Sequence, residues 1–222
     1  VVEALKTAGK RIVFVNFSGA AIALEPESLN CEAILQAWYP GQAGGQAVAE
    51  VLFGDYNPAG KLPLTFYRNL AQIPDFEDYN MTGRTYRYMK ETPLFPFGHG
   101  LSYTTFKYGK LKMNDDKIAA GQNLNLVIPV TNTGSRDGDE VVQVYLKKMD
   151  DTEGPVKTLR AFKRVRIPAG KTVEVKFSLD DTQLEWWDEQ SNTMRVCPGN
   201  YTVMIGGTSC EKSLLSRAFT IR

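Results

Sequence analysis

The apolar positions change period part-way along the chain. Up to about residue 100 they come in blocks. RIVFVNF, Arg11 to Phe17, is a nearly continuous apolar run and predicts a strand covered on both faces. EAILQAW, Glu32 to Trp38, predicts a second strand. GGQAVAEVLFG places Val48, Val51 and Leu52 at i, i+3 and i+4, a helical stripe that Gly54 can stop. KLPLTFY predicts a third strand, at an edge or an end because Pro63 has no N–H for a ladder. The opening VVEALKTAGK predicts a helix with Val1, Val2 and Leu5 on one face and Gly9 as its stop. No Ser, Thr, Asp or Asn caps that helix, so the chain is expected to begin inside an element, as one piece of something larger. Strand and helix in alternation imply a parallel or mixed sheet. Three strands fall short of the roughly five or six of a sheet clothed on both faces. The remaining strands are therefore expected upstream of Val1.

From about Tyr103 the period becomes two. NLNLVIPV alternates Leu124, Leu126, Ile128 and Val130, and TVEVKFSL alternates Val173, Val175, Phe177 and Leu179. VVQVYLKK, TLRAFKRVRI, NYTVMIG and SRAFTIR supply further strands, separated by the turn signals NTGSRDG, PAGK, CPGN and GGTS. Six or seven short strands in about 110 residues predict an immunoglobulin-like sandwich, with Tyr201 of PGNY as a tyrosine-corner residue. The expected division is residues 1–102, whose last part (67–102) is a long aromatic connecting loop, and residues 103–222.

Composition narrows the function classes. The chain has 222 residues, 43% of them hydrophobic and 11% aromatic, which supports a true core and one or two domains. A net charge of +1 gives no reason to expect a nucleic-acid partner. The longest apolar stretch is broken by Asn16, Ser18 and Gly19 and is too short to span a bilayer. Three cysteines without a C-x-x-C spacing make neither a disulfide framework nor a zinc site. Cys197 and Cys210 flank one predicted strand, roughly 30 Å apart, and are expected not to pair.

Candidate chemistry is sparse. The single histidine, His99, sits among glycines and aromatics, where a packed structural role is expected. Gly41–Gly45 lies between strand and helix but matches neither G-x-G-x-x-G nor a loop ending in G-K-[ST]; close helix packing is the expectation, nucleotide binding the rival. Asp75, Glu77 and Asp78 form an acidic cluster in the long loop, and neighbouring loop acids are expected to be solvated. Trp186 is expected to share a face with Leu184, and Trp187 to look away. The three sequons, at Asn16, Asn80 and Asn200, need exposure and a secretory route to be used.

AILQAWYPGQAGGQAVAEVLFGDYNPAGKLPLTFY, then TPLFPFGHGLSYTTFKYG, closely resembles glycoside hydrolase family 3, which includes β-glucosidases and β-xylosidases. PVKTLRAFKRVRIPAGKTVEVKFSL resembles the fibronectin type III-like domain that ends many members. The resemblance covers essentially the whole chain. It implies a partial α/β sandwich, its sheet clothed by helices on both faces, followed by a fibronectin type III-like β-sandwich.

It further implies a retaining β-glycosidase whose nucleophilic Asp lies on an upstream barrel. Its acid/base Glu lies in an E-G-x-D-R-like segment ahead of the strand matching RIVFVNF, with the two carboxyls about 5 Å apart. Neither carboxylate has a match here, so no catalytic residue, metal or cofactor is assigned and the chain is expected to be inactive alone. VNFSGAAIAL and DFEDYNMTGRTYRYM look closer to the β-xylosidase and arabinosidase branch than to the β-glucosidases. GRTYRY, with Arg84 and Tyr86, is the local candidate for a substrate rim, and a packing strap is the competing reading. The expected partners are an oligosaccharide through the parent enzyme and the missing N-terminal part, or self-association across the incomplete sheet. A secreted or periplasmic parent is implied. The alternative function is a non-catalytic carbohydrate-binding or interaction module using the Trp186–Trp187 segment and the long aromatic loop.

Overall fold

A computed structural model describes residues 1–222. The first part holds helix α1 (Val2–Thr7), strand β1 (Val13–Asn16), helix α2 (Glu25–Asn30), strand β2 (Ala33–Gln36) and helix α3 (Gly44–Phe53). β1 and β2 pair in parallel, Val13 opposite Ala33 through Asn16 opposite Gln36, so the expected parallel pairing forms. α3 ends on Gly54 at φ +86, a left-handed position that glycine adopts without penalty. α1 and α2 are tied by Lys6, whose Nζ donates to Leu29 O and Asn30 Oδ1, both at 2.9 Å.

Two expectations fail in this half. KLPLTFY forms no third strand. Its backbone pairs with the turn at residues 95–99: Leu62 N donates to His99 O, Gly98 N to Leu62 O, and Phe66 and Phe95 bond each other in both directions. The segment thereby pairs with the turn that docks on the second domain and not with β1 or β2. Nor is β1 covered on both faces within this chain, since Val13 is 50% and Phe17 55% exposed. α2, EPESLN, has no apolar period to announce it; a proline and two glutamates in its first turn are its only sequence signals. The long segment after Phe66 holds one short helix, α4 (Thr85–Tyr88), and a single 3₁₀ turn at Leu70–Gln72.

The second part is a two-sheet sandwich. Its strands are β3 (Phe106–Tyr108), β4 (Lys112–Met113), β5 (Lys117–Ile118), β6 (Leu124–Asn132), β7 (Gly138–Lys148), β8 (Thr158–Ile167), β9 (Thr172–Leu179), β12 (Gly199–Gly206) and β13 (Leu215–Ile221). Helix α5 (Asp181–Leu184) and a small hairpin of β10 (Trp186–Asp188) and β11 (Thr193–Arg195) lie between β9 and β12. One sheet runs β5-β13-β12-β7-β8; the other has β6 at its centre, paired with β3, β4 and β9. The six long strands are those the alternation predicts. β3 to β5, two or three residues each, are too short to show a period. Leu124, Leu126, Ile128 and Val130 are all fully buried, because every second residue of β6 faces the opposite sheet.

The core is unevenly shared. Of 28 buried hydrophobic residues only Ile12, Leu24, Ala59, Phe66 and Met89 precede residue 104, whereas 18 of the 23 exposed large hydrophobics do. A continuous cluster of 21 buried residues, Leu111 to Ile221, lies entirely within the sandwich. At about 1.5–3 kcal/mol for each fully buried aliphatic side chain, stabilising burial is concentrated there.

Candidate functional site

In open α/β sheets, ligands bind outside the carboxyl ends of the parallel strands. Here that rim follows β1 and β2. Asn16 Nδ2 donates to Gln36 Oε1 at 2.5 Å and to Ser18 Oγ at 2.9 Å, while Gln36 Nε2 donates back to Ser18 O at 3.1 Å. The three side chains lock the two strand ends together. Tyr39, 79% exposed, lies over Gly19, where a Cβ would come within 2.5 Å of its ring. Trp38 takes φ +55, a region bulky side chains rarely adopt and one that clusters at functional rims. Its ring meets Phe66 edge-on at 6.3 Å. Sequence reasoning did not single out Trp38 or Tyr39; the Pro40–Gly41 turn immediately after them was the available signal. Gly41, at φ +70, leads into α3, whose first turn carries no side-chain cap.

Arg84 is turned into its own loop. Nε donates to Asn80 O at 3.0 Å, and Nη2 to Asp75 O at 3.1 Å and to Asp78 O. Asp75 and Asp78 accept from the backbone of Glu77 and Asn80, so the acidic cluster shapes turns. Tyr86 reaches the sandwich: its ring stacks on Phe97 at 4.3 Å, and its hydroxyl accepts from Leu159 N at 3.2 Å. Thr85 between them has φ +53 and donates its N–H to the Tyr67 hydroxyl. The structure brings neither Arg84 nor Tyr86 together with a carboxylate pair.

His99, Lys61 and Glu140 lie at the domain junction. His99 stacks on Phe95 at 5.3 Å, and burial, aided by the Lys61 charge, holds its imidazole below the ordinary value. Glu140 on β7 is buried; its Oε1 accepts from the Tyr108 hydroxyl at 3.0 Å and lies 3.4 Å from Lys61 Nζ, which also donates to Gly100 O. Burial raises the Glu140 carboxyl, and Lys61 and Tyr108 oppose that rise. Gln143, three residues on, donates through Nε2 to Gly207 O at 2.7 Å and to Gly98 O at 3.4 Å, and its Oε1 accepts from Tyr145. The other carboxylates with a perturbed value, Glu32, Asp78, Asp137, Asp180 and Asp188, are all held low, chiefly by hydrogen bonds they accept. A general acid at neutral pH needs the opposite shift.

In the sandwich, Tyr201 donates its hydroxyl to Cys197 O at 2.7 Å, the expected tyrosine corner. Leu184 and Trp186 are buried, and Trp186 Nε1 donates to Asp151 at 2.7 Å. Trp187 is 50% exposed, opposite Met194 across the hairpin. All three cysteines are free. Asn16 is buried, whereas Asn80 and Asn200 are exposed.

Residues 1–103 match the glycosyl hydrolase family 3 C-terminal domain, and residues 140–209 match the fibronectin type III-like domain. The chain belongs to glycoside hydrolase family 3, as a C-terminal portion. Among family relatives, a xylan 1,4-beta-xylosidase from Xylanibacter ruminicola is 53% identical over 99% of this chain and 25% of its own length. A periplasmic beta-glucosidase from Salmonella typhimurium is 38% identical over 95% of this chain and 29% of its own. In structure, a β-glucosidase from Erythrobacter marinus superposes with a TM-score of 0.86 at 38% identity, over 99% of this chain and 29% of that one. A Listeria innocua beta-glucosidase in complex with isofagomine gives 0.85 at 27% identity, over 99% of this chain and 32% of that one. The chain thus spans about a quarter to a third of the family 3 proteins it matches. None of its helices is long and apolar enough to cross a membrane.

Proposed function

We propose that these residues form the C-terminal part of a retaining β-glycosidase that removes terminal β-linked xylose or glucose from oligosaccharides. In this reading the reacting carboxylates come from outside the 222 residues. One observation carries it: the one buried carboxylate of the chain, Glu140, lies between the domains against Lys61 and Tyr108. The 53% identity to a protein named as a xylan 1,4-beta-xylosidase favours xylose. The relative named as periplasmic favours a secreted or periplasmic parent. Arg84 and Tyr86 act in it as loop-shaping and domain-docking residues behind a substrate rim.

The exposed apolar side chains of residues 1–103 support a partner for that half, and the natural one is the upstream part of the same protein. Without it, the chain self-associates through that face. The test compares hydrolysis of nitrophenyl β-xyloside and β-glucoside by the 222-residue chain and by the full-length parent. The parent is expected to turn both over, xyloside faster, and the chain neither. Turnover by the chain, abolished by changing one of its own acids, would overturn the reading.

A further inference from the structure

A groove of about 460 Å³ lies at the junction of the two domains, between the residues after α3 and the adjoining ends of β7 and β8. Its walls are held by direct bonds between the halves. Arg136 Nη1 donates to Gly54 O at 3.1 Å, Asn57 Nδ2 to Asp137 O at 2.9 Å, and Arg164 Nη2 to the Tyr56 hydroxyl at 2.9 Å. On the sandwich side, Asp139 pairs with Arg164 at 2.7 Å and Asp137 with Arg166 at 3.3 Å.

Much hydrogen-bonding capacity is left over. Each guanidinium has five N–H groups, yet Arg136, Arg164 and Arg166 together make only these four bonds. The Asp55 carboxylate accepts none, and Asp139 uses one oxygen. The lining holds three arginines and three aspartates, so it has no net charge, and Tyr56, 46% exposed, is its only hydrophobic residue.

From this we infer that the groove is a binding site for a neutral sugar. A charged ligand gains nothing from a balanced lining, and an apolar one finds a single ring. Vicinal hydroxyls need donors and acceptors side by side, which the free guanidinium edges, Asp55 and the second Asp139 oxygen supply. The Tyr56 ring offers a flat face for the sugar's C–H groups. A volume within the roughly 300–1,000 Å³ of small-molecule sites suits one or two sugar rings. This inference stands on the lining alone and does not depend on the hydrolysis proposed above.

The test is an amide-resolved NMR titration of the 222-residue chain with xylotriose and cellotriose, run in parallel by calorimetry on the full-length parent carrying an inactivated nucleophile. Saturable shifts at residues 54–57 and 136–139 are expected. Tyr56→Ala should weaken binding about tenfold or more, and D55N about threefold to tenfold. Y56F keeps the ring and should stay within about threefold of the wild type. Shifts produced by sulfate in place of sugar would make the site an anion site and overturn the inference. Absent saturation with both sugars, or equal affinity in Tyr56→Ala, would overturn it too.

Discussion

Tyr201 carries more than its ring. Its hydroxyl is the partner of the Cys197 carbonyl at a fully buried position, and its ring stacks on Phe219 at 5.5 Å. Y201F keeps the stacking and orphans the carbonyl, so the sandwich should lose about 1–2 kcal/mol in urea unfolding. Glu140 offers a test of opposing effects. E140Q retains an acceptor for Tyr108 but leaves Lys61, whose side chain is 15% exposed, without its counter-charge. Because burial disfavours the Glu140 charge, the neutral amide offsets much of that loss, and the same unfolding measurement should register about 1 kcal/mol or less. His99 gives the junction a pH dependence. Its folded pKa lies below the unfolded one, so the unfolded chain protonates first. This contribution is complete above about pH 6.5 and declines as pH falls through that value. Glu140, raised by burial, works oppositely, its contribution present below about pH 4.3 and lost as pH rises through its folded value. Urea midpoints at pH 7.5 and 5.5 should therefore fall in the wild type and fall less in H99N; an equal fall would place the sensitivity elsewhere.

Among the elements, the turn at Phe95–Gly100 does the docking. Phe97 O accepts from Ser209 N at 3.0 Å, and Gly98, at φ +77, leaves no room for a side chain: a Cβ there would stand 2.1 Å from Gln143 Oε1. G98A should loosen the two halves while leaving the sandwich's own transition in place. Limited proteolysis near residues 101–105 should then quicken. Period-two strands were readable because one face of each is buried in this chain, as at β6 and β9. RIVFVNF was readable as a strand but not in its burial: Val13 and Phe17 stay half exposed within this chain, which an apolar run does not reveal. KLPLTFY misled for a different reason: its backbone pairs with the docking turn and Phe66 meets Phe95 there, a long-range pairing that local alternation cannot reveal. For the candidate rim, Arg84 was visible as a notable residue, yet nothing in GRTYRY tells that its donors turn back to Asp75, Asp78 and Asn80. Trp38 was hidden because a positive φ leaves no trace in a single bulky residue.

At the scale of the whole molecule, stability is divided unequally. The 21-residue cluster closes within residues 111–221, so a chain of residues 104–222 should fold alone with dispersed amide spectra and a cooperative urea transition. Residues 1–103 alone, with five buried hydrophobics, should not. The intact chain should sediment as more than a monomer, and addition of the parent's N-terminal part should dissolve that association into a one-to-one complex. A clean monomer across micromolar concentrations would argue against an unmet apolar face.

Gln143 reaches two glycine carbonyls that arrive from opposite sides, one from each half of the molecule. That amide works as a gauge of fit. Any foreign sandwich grafted behind the docking turn must bring a side chain of the same length and polarity to the same depth of its seventh strand, or the turn meets a bare β-surface. Shuffling of these two units between relatives is thereby confined to sandwiches that already carry the matching key.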